Sequence, residues 1–405
     1  MAAADRPSGI TKIPRNVIVG ASAAALLAPV AAQLRVRRAA RPLSDRWQQV
    51  PVEPAGGTLL GLSFRPLQAE ALGLDPRATL QALLDYPYQL IRLAAYWDRM
   101  EPEPGRFDHD ELDWMVGAAE RAGKQIILCV GPVKAFGYPE FFVPAHHLDS
   151  PLPEGALIEP AGHQALLRAA TAFAGRVVRR YRDRAAIVAW QVEHEAVDPL
   201  GVEHSWRLSR AFARAEVDAV RAADPARPVM MNGFLPTSSP VALQQWWRTR
   251  DQGDSLSAAE ELADIVGIDF YPRHALLAAA GQTAYLDGSR RWWQQRRRRQ
   301  LFARAAASGR RVMIAEGQAE PWEAVTTPPS PPGQAMYSCL PEHLIGNFSQ
   351  CMRWQSQERC AAWAYLFWGA EYWVLRQQQG DPRYLDAFAR VLSSGGPGRA
   401  GGASC

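Results

Sequence analysis

The chain alternates short apolar runs with longer amphipathic segments from residue 58 to residue 392. Eight of the runs are rich in β-branched residues and bounded by polar ones, which predicts strands buried on both faces. The predicted strands are Thr58–Phe64, Gln89–Leu93, Gln125–Val130, Ile187–Val192, Pro228–Met231, Ile265–Phe270, Arg311–Ala315 and Ala362–Phe367.

The amphipathic segments between these runs predict helices with one buried face. They are Pro76–Leu84, Asp110–Ala122, His163–Arg182, Glu203–Ala223, Leu243–Leu262, Ser289–Ala307, Glu342–Glu358 and Pro382–Leu392. Strands that alternate with helices form parallel sheets with helical crossovers. Eight such repeats predict an α/β fold, a (β/α)8 TIM barrel over residues 57–393. A doubly wound open sheet is the rival fold, but no glycine-rich phosphate loop follows the first strand.

The two ends of the chain differ in composition from the predicted barrel. Residues 1–33 contain Arg6, Lys12 and Arg15, then an apolar, alanine-rich run that ends in small residues typical of a signal-peptidase site. Arginines follow directly, so residues 17–33 are predicted to be either a cleaved signal or, slightly favoured, an uncleaved membrane anchor. A disordered alanine-rich tail is the alternative. Residues 34–56 are predicted to be a linker and residues 394–405 a flexible glycine-rich tail.

Composition and charge exclude several classes of protein. The chain is 48% hydrophobic and 21% charged, which permits a large core and argues against global disorder. The formal net charge is only +4, and the dense Arg296–Arg299 cluster falls in a predicted helix. That cluster predicts a solvated surface, so we expect no nucleic-acid partner.

The five cysteines and eight histidines give no sign of a metal or redox centre. No pair of cysteines has CxxC spacing, and no His/Cys spacing resembles a metal site. A disulfide between Cys339 and either Cys351 or Cys360 stays open at this level. We expect neither a metal nor an organic cofactor.

Two predicted strands run directly into glutamates. The stretch IVAWQVEHE ends in Glu193 and Glu195, and the stretch RVMIAEGQAEPW contains Glu316 and, further on, Glu320. Because the carboxyl ends of barrel strands meet at one rim, these side chains are predicted to lie near one another. Two carboxyls facing one sugar are the minimal apparatus for glycoside hydrolysis. The alternative is a set of rim ion pairs without chemistry.

The order of these motifs resembles the clan A glycoside hydrolases, retaining (β/α)8 enzymes that include cellulases, mannanases and β-galactosidases. The resemblance covers residues 57–393 and rests on IRLAAYWDRMEPEPGRFD, VGPVKAFGYPE, WQVEHE, VGIDFYP, IAEGQAEPW and YLFWGAEYW. It implies that Glu195 is the acid/base and Glu316 the nucleophile. Glu193 and Glu320 are the secondary candidates for these two roles.

The resemblance also implies how a sugar is held. Arg92 and Tyr271 would contact the nucleophile, and Trp368 would form the floor of the subsite. His194 stands where the clan carries an asparagine that binds the sugar 2-hydroxyl, and an imidazole N–H can donate a similar hydrogen bond. Two further tryptophans, Trp97 and Trp322, lie just beyond apolar runs and are candidates to stack on sugar rings. The alternative for each is packing in the core.

We therefore expect an exported retaining glycosidase, extracellular or in the cell envelope, that acts on an oligo- or polysaccharide with β-linked sugars. Glu316 must be ionised to attack, whereas Glu195 must begin protonated. Two other functions stay open: a non-catalytic carbohydrate-binding barrel at the cell surface, and a transglycosylase of envelope glycans.

Overall fold

Eight parallel strands close into a barrel in which sequence neighbours are also spatial neighbours. The computed structural model describes residues 33–38, 40–137, 139–199, 206–236, 238–279, 282–288, 292–321, 331, 333–358 and 361–394. The barrel strands are Leu59–Ser63 (β1), Leu90–Ala94 (β2), Gln125–Cys129 (β3), Ile187–Gln191 (β4), Val229–Phe234 (β5), Ile265–Phe270 (β6), Arg311–Gln318 (β7) and Ala364–Trp368 (β8). All eight predicted strands are present, and the predicted (β/α)8 barrel is confirmed.

Helices surround the barrel and fill the crossovers between its strands. They are Pro66–Ala71, Pro76–Leu84, Trp97–Met100, Asp110–Arg121, Gln164–Tyr181, Arg210–Ala223, Ser239–Thr249, Ser255–Leu262, Trp292–Ser308, Pro341–Glu358, Ala370–Gln378 and Arg383–Ser394, with 3-10 helices at Asp45–Gln49 and Ala145–His147. The single helix predicted over residues 243–262 is two helices. Gly253 has a φ of 79°, and Asp254 caps the second helix by accepting a hydrogen bond from the Ser257 N–H.

Short strands outside the barrel pair with one another and so connect the loops at its periphery. The strand Leu34–Arg38 pairs antiparallel with Gln282–Asp287, which in turn pairs with Arg273–Ala279. Ala40–Pro42 pairs with Gln334–Met336. Residues 34–56, predicted as a linker, thus contain two strands and a 3-10 helix. A further two-stranded pair joins residues 157–158 to residues 207–208.

The ends of the chain lie outside the part that the structure describes. This holds for residues 1–32, with nearly all of the predicted signal or anchor, and for residues 395–405 of the predicted tail. Within the described ranges, no helix is long and apolar enough to cross a membrane.

The barrel interior changes from apolar to polar along the direction of the strands. Alternate residues of a strand face the same side, and Leu90 on β2 and Ala189 on β4 belong to one small buried apolar cluster. Two residues further along, Arg92 and Gln191 are equally buried but hydrogen-bonded to each other. The same step on β5 leads from Met230 to Asn232. Polar interior positions therefore gather at the carboxyl ends of the strands, where barrels build active sites.

We expect Gly61→Ala to lower the free energy of unfolding by about 2 kcal/mol. A Cβ at residue 61 would stand 1.8 Å from the Leu90 carbonyl oxygen, so β1 and β2 would have to separate. Urea unfolding measures the change. Gly117→Ala is the matched control, because a Cβ there meets only the flexible end of Arg121 and alanine favours a helix by about 0.5–1 kcal/mol. Equal effects of the two substitutions would contradict the packing seen between β1 and β2.

Candidate active site

Glu316 lies near the carboxyl end of β7, and two side chains hold its carboxylate. The Arg92 guanidinium donates from Nη1 to Glu316 Oε1 at 2.7 Å, and the Tyr271 hydroxyl donates to Oε2 at 2.5 Å. Arg92 comes from β2, and Tyr271 directly follows β6. Only 2% of Glu316 is exposed. Both carboxylate oxygens are thus fixed from opposite sides of the barrel.

These contacts keep Glu316 ionised despite its burial. Burial alone would raise the pKa of this carboxyl, but the charges of His194 and Arg92 and the hydrogen bonds from Tyr271 and Arg92 lower it below its usual value. Burial lowers the pKa of His194 to about 4, so its ring is neutral near pH 7. The lasting positive charge beside Glu316 is therefore that of Arg92.

Arg92 is itself held rigidly inside the barrel. Its Nε donates to Gln191 Oε1 at 2.7 Å, and its guanidinium lies 3.9 Å from the centre of the Phe136 ring. The side chain is completely buried. A planar guanidinium fixed in this way offers its N–H groups to a carboxylate at one position only.

Glu195 follows the end of β4 in an unusual backbone conformation. Its φ is 44°, a left-handed value that is uncommon for a non-glycine residue. The buried Lys134 side chain stabilises this turn by donating from Nζ to the backbone carbonyls of Glu195, at 2.9 Å, and of Asp198, at 3.0 Å. The chain therefore leaves the strand in a turn that projects Glu195 at the rim, where it is half-buried.

The surroundings of Glu195 favour the protonated carboxyl. Burial of the carboxyl, and after it the negative charges of Asp198 and Glu316, raise its pKa well above the usual value. Lys134 opposes this shift only in part. The two rim glutamates therefore differ in ionisation in the way that an acid and a nucleophile must.

His194 presents one ring nitrogen to donors and keeps the other protonated. Asn232 Nδ2 lies 2.9 Å from His194 Nδ1, and Arg92 Nη2 lies 3.4 Å from the same atom. Glu316 Oε1 also lies 3.4 Å from Nδ1. The nearest of these three neighbours, Asn232, is a donor, so Nδ1 is assigned as an acceptor and the neutral ring then carries its proton on Nε2. The ring is parallel to that of Trp368, with centroids 6.4 Å apart. His194 thus keeps an N–H donor where the clan has an asparagine.

Asp269 is a third carboxyl in the same cluster. It lies on β6 in register with Glu316 on β7, and its Oδ2 accepts from Asn232 Nδ2 at 2.7 Å. Burial, the charge of Glu316 and the neighbouring Glu195 raise its pKa well above the usual value. Asp269 follows Ile265, an interior residue of β6, by an even number of positions, so the two side chains face the same side of the strand. This spacing is visible in the sequence.

Trp368 ends β8 and is half-buried, as a ring that supports a ligand must be. Arg65 lies 4.2 Å from the centre of its ring and is fixed there by ion pairs to Glu320, at 2.9 Å, and to Glu371, at 2.6 Å. Glu320, the secondary candidate for the nucleophile, therefore holds Arg65 against the tryptophan ring.

The cluster around Glu316 can also be considered as a metal site. Ligand atoms of His194, Asp269 and Glu316 lie within 4.8 Å of one another. However, the Arg92 guanidinium already neutralises Glu316 at 2.7 Å, and the Tyr271 hydroxyl takes its other oxygen. A divalent cation would have to displace or face a fixed positive charge, so the cluster is poorly suited to a metal.

Comparisons with known proteins agree with this geometry. Residues 86–212 match the sequence model of glycoside hydrolase family 42, described as β-galactosidase. Among solved structures, GH5_18 from Streptomyces cattleya in complex with GlcNAc is similar with 12% identity and a TM-score of 0.55 over 86% of this chain and 82% of that chain. Xylanase 10B from Thermotoga maritima is similar with 14% identity and a TM-score of 0.50 over 83% and 95%. No curated protein sequence matches the chain.

The chain resembles the clan A glycoside hydrolases. At identities of 12% and 14%, the two structures establish the shared barrel fold. The family match spans β2 to β4 and includes Arg92, His194 and Glu195. The predicted resemblance is confirmed, and the match supports the predicted enzyme class, a glycosidase.

Of the two further tryptophans predicted to stack on sugar rings, the structure describes Trp97. Trp97 is completely buried, with its Nε1 donating to Glu101 at 2.7 Å and its ring stacked between His147 and Phe173. That ring has no free face for a sugar, so the prediction for Trp97 was wrong. Trp322 lies outside the described residues, and its predicted role stays a prediction.

Glu193, the secondary candidate for the acid/base, has its carboxylate bonded inside the protein. Its φ of 58° turns the side chain away from the mouth. Its carboxylate accepts hydrogen bonds from the backbone N–H groups of Val133, at 3.0 Å, and Lys134. Behind it lies Glu216, also fully buried. Burial raises the pKa of Glu193 to about 7, and burial together with the Glu193 charge raises that of Glu216 well above the usual value.

This buried carboxyl pair predicts a dependence of stability on pH. Both groups bind protons more tightly in the folded than in the unfolded chain, where glutamate titrates near about 4.3. Stability is therefore complete below that pH and is lost as the pH rises through 7. We expect Glu216→Gln to flatten this loss and to raise the free energy of unfolding at pH 8 by about 1–2 kcal/mol.

Urea unfolding at a series of pH values measures this effect. Glu120→Gln is the matched control, because Glu120 pairs with Arg184 on the outer surface of the barrel. An unchanged pH slope in Glu216→Gln would show that the pair does not share a proton.

Proposed function

We propose that the protein is a retaining glycoside hydrolase acting on β-linked sugars of an oligo- or polysaccharide. The observation that carries the proposal is the unequal state of two rim carboxyls. Glu316 is held ionised by Arg92 and Tyr271, whereas the surroundings of Glu195 keep it protonated. Retaining enzymes need this combination at a carboxyl separation of about 5–5.5 Å.

In the first step the Glu316 carboxylate attacks the anomeric carbon of the bound sugar. The bond from that carbon to the glycosidic oxygen breaks, and Glu195 donates its proton to the departing oxygen. A covalent glycosyl ester on Glu316 and a free leaving-group alcohol result. Arg92 and Tyr271 hold the attacking oxygens in place.

The second step reverses the role of Glu195. Once Glu316 is esterified, its negative charge no longer raises the pKa of Glu195, so the carboxylate of Glu195 is able to accept a proton. It takes one from a water molecule, which attacks the anomeric carbon and releases Glu316 as a carboxylate. The products are a free sugar with retained configuration and the regenerated enzyme.

Trp368 and His194 offer the surface on which the attacked sugar rests. The half-buried Trp368 ring is held by Arg65 on one side, and its orientation parallel to the His194 ring extends a flat wall. Sugar rings present flat C–H faces that pack on aromatic rings. His194 Nε2–H supplies a donor to a sugar hydroxyl at the edge of this wall.

Covalent trapping tests the proposal directly. We expect activated 2-deoxy-2-fluoro glycosides to leave one glycosyl adduct on the peptide that contains Glu316, because the fluorine slows breakdown of the intermediate. Intact-mass analysis followed by peptide mapping identifies the sugar and the residue together. Glu316→Gln should form no adduct and lose turnover by about 10⁴-fold or more, whereas Glu111→Gln, a change on the outer surface, should behave as the wild type.

The other outcomes point to the two alternative functions. Sugar affinity without an adduct or turnover, in folded protein, would favour the carbohydrate-binding barrel. An adduct that transfers to an added sugar acceptor faster than to water would favour the transglycosylase.

The pH profile of kcat/KM tests the roles of the two glutamates. We expect a bell-shaped profile. Its acid limb reports ionisation of Glu316, whose pKa lies below the usual carboxyl range, and its alkaline limb reports loss of the proton of Glu195, whose pKa lies well above that range. Tyr271→Phe removes a hydrogen bond to ionised Glu316, so the acid limb should move to higher pH and the alkaline limb should stay. Tyr181→Phe removes a similar hydroxyl-to-carboxylate bond, to Asp113 on the outer helices, and should move neither limb. A shift of the alkaline limb alone in Tyr271→Phe would reverse the assignment.

We also propose that the protein works outside the cytoplasm. This rests on the apolar stretch of residues 17–33 behind a basic segment. Fractionation of cells that produce the full chain, with mass analysis of its N-terminus, tests both export and retention of the segment.

A further inference from the structure

A second cluster of polar side chains lies where the loop after β2 meets the loop after β3. Glu101 follows the short helix Trp97–Met100, and His146 and His147 belong to the 3-10 helix Ala145–His147. Glu101 Oε2 is 3.0 Å from His147 Nε2, and Glu101 Oε1 is 3.8 Å from His146 Nε2. One ligand atom from each residue lies within 4.8 Å of the other two.

We propose that Glu101, His146 and His147 form a zinc site that ties these two loops together. Zn²⁺ prefers imidazole nitrogen and carboxylate oxygen at about 2.0–2.2 Å, which places neighbouring ligand atoms roughly 3.3–3.6 Å apart. The three residues come close to that separation before any ion is added. Three protein ligands leave the fourth tetrahedral position to a water molecule.

Further contacts fix the orientation of the Glu101 carboxylate and the His147 ring, as is usual for metal ligands. Trp97 Nε1 donates to Glu101 Oε2 at 2.7 Å, and the Gly105 N–H donates to Oε1 at 2.9 Å. The His147 ring stacks on Trp97 with centroids 4.7 Å apart. Hydrogen bonds and packing of this kind fix the direction of ligand atoms and raise metal affinity. They also give the buried Trp97 a role that sugar stacking does not.

The charges at the cluster favour a cation. The Glu101 carboxylate is mostly buried and faces both imidazole rings. In the described part of the chain, the ion-pair partners of Glu101 are the two histidines. No guanidinium occupies the place of a metal here, in contrast to Arg92 beside Glu316.

The solvent side of the cluster is open. The His146 side chain is 21% exposed and that of His147 is 23% exposed, whereas Glu101 is 7% exposed. A metal ion therefore has a path to the site and room for a water ligand. Because its protein ligands come from two loops on the barrel rim, bound zinc would restrain both loops against opening.

Zinc titration of the full chain after treatment with a chelator tests the site. We expect calorimetry with ZnCl₂ to show one tight site per chain and thermal unfolding to move to higher temperature with zinc. His146→Ala and His147→Ala should each weaken binding at least about tenfold. His163→Ala is the matched control, since His163 bonds to the Glu159 backbone within the same region and should leave zinc affinity unchanged. Zinc-edge absorption spectra should show imidazole nitrogens in the wild type.

Several results would overturn the proposal. One is that the folded wild-type protein binds no zinc. Another is that His146→Ala and His147→Ala both still bind zinc as the wild type does. A third is that His163→Ala alone removes the effect of zinc on thermal unfolding. Zinc held at the Glu316 cluster would survive both variants and so counts against the site. Circular dichroism of each variant establishes that a loss of affinity is not a loss of fold.

Discussion

The ion pair between Arg92 and Glu316 is the interaction on which the rest of the site depends. Both side chains are at most 3% exposed, and their atoms meet at 2.7 Å. Burying either charge alone would cost several kcal/mol, and a partner repays this only when the geometry is tight and the remaining polar atoms are bonded. Gln191 and Tyr271 supply those remaining bonds. The barrel therefore has to hold β2, β4, β6 and β7 in one register for the pair to be stable.

The same pair sets the ionisation of its neighbours. Glu195, Asp269 and Glu316 crowd one rim, and Arg92 pairs directly with Glu316, whereas Lys134 only partly opposes the raised pKa of Glu195. One positive charge stabilises one carboxylate well, so the other two carboxyls hold their protons, as the raised pKa values of Glu195 and Asp269 reflect. The protonated Glu195 that the proposed mechanism requires is thus a consequence of charge balance as well as of burial.

Much of the fold and part of the site follow from the sequence, for a physical reason. Buried parallel strands are nearly continuous apolar runs, so β1 to β8 stand out. Strand order then brings Arg92, Glu195, Tyr271 and Glu316 to one rim without further information. Inferences that extend regular strand geometry beyond the end of a strand fail. A spacing of two residues would put Glu193 and Glu195 on the same side of an extended strand, but the strand ends at Gln191 and both glutamates have left-handed φ values.

Trp97 shows a second limit, which concerns the surroundings of a side chain. A tryptophan after a strand is compatible with a sugar platform or with a packed core, and its local sequence is the same in both cases. The outcome depends on His147, fifty residues later, which stacks on the ring and bonds to Glu101. Contacts between distant loops of this kind leave no periodic signal in either segment.

Whether His194 can take the place of an asparagine also depends on residues that are distant in the sequence. An imidazole is a good substitute only if its donor nitrogen faces the ligand, and the sequence alone does not fix the tautomer. Asn232 on β5 is the nearest neighbour of Nδ1, at 2.9 Å, and presents an N–H group to it, which favours a proton on Nε2. The low pKa of the ring keeps it neutral, so it does not compete with Arg92 for Glu316. His194 is therefore a neutral donor because of its neighbours, and that is the state in which it can replace an amide.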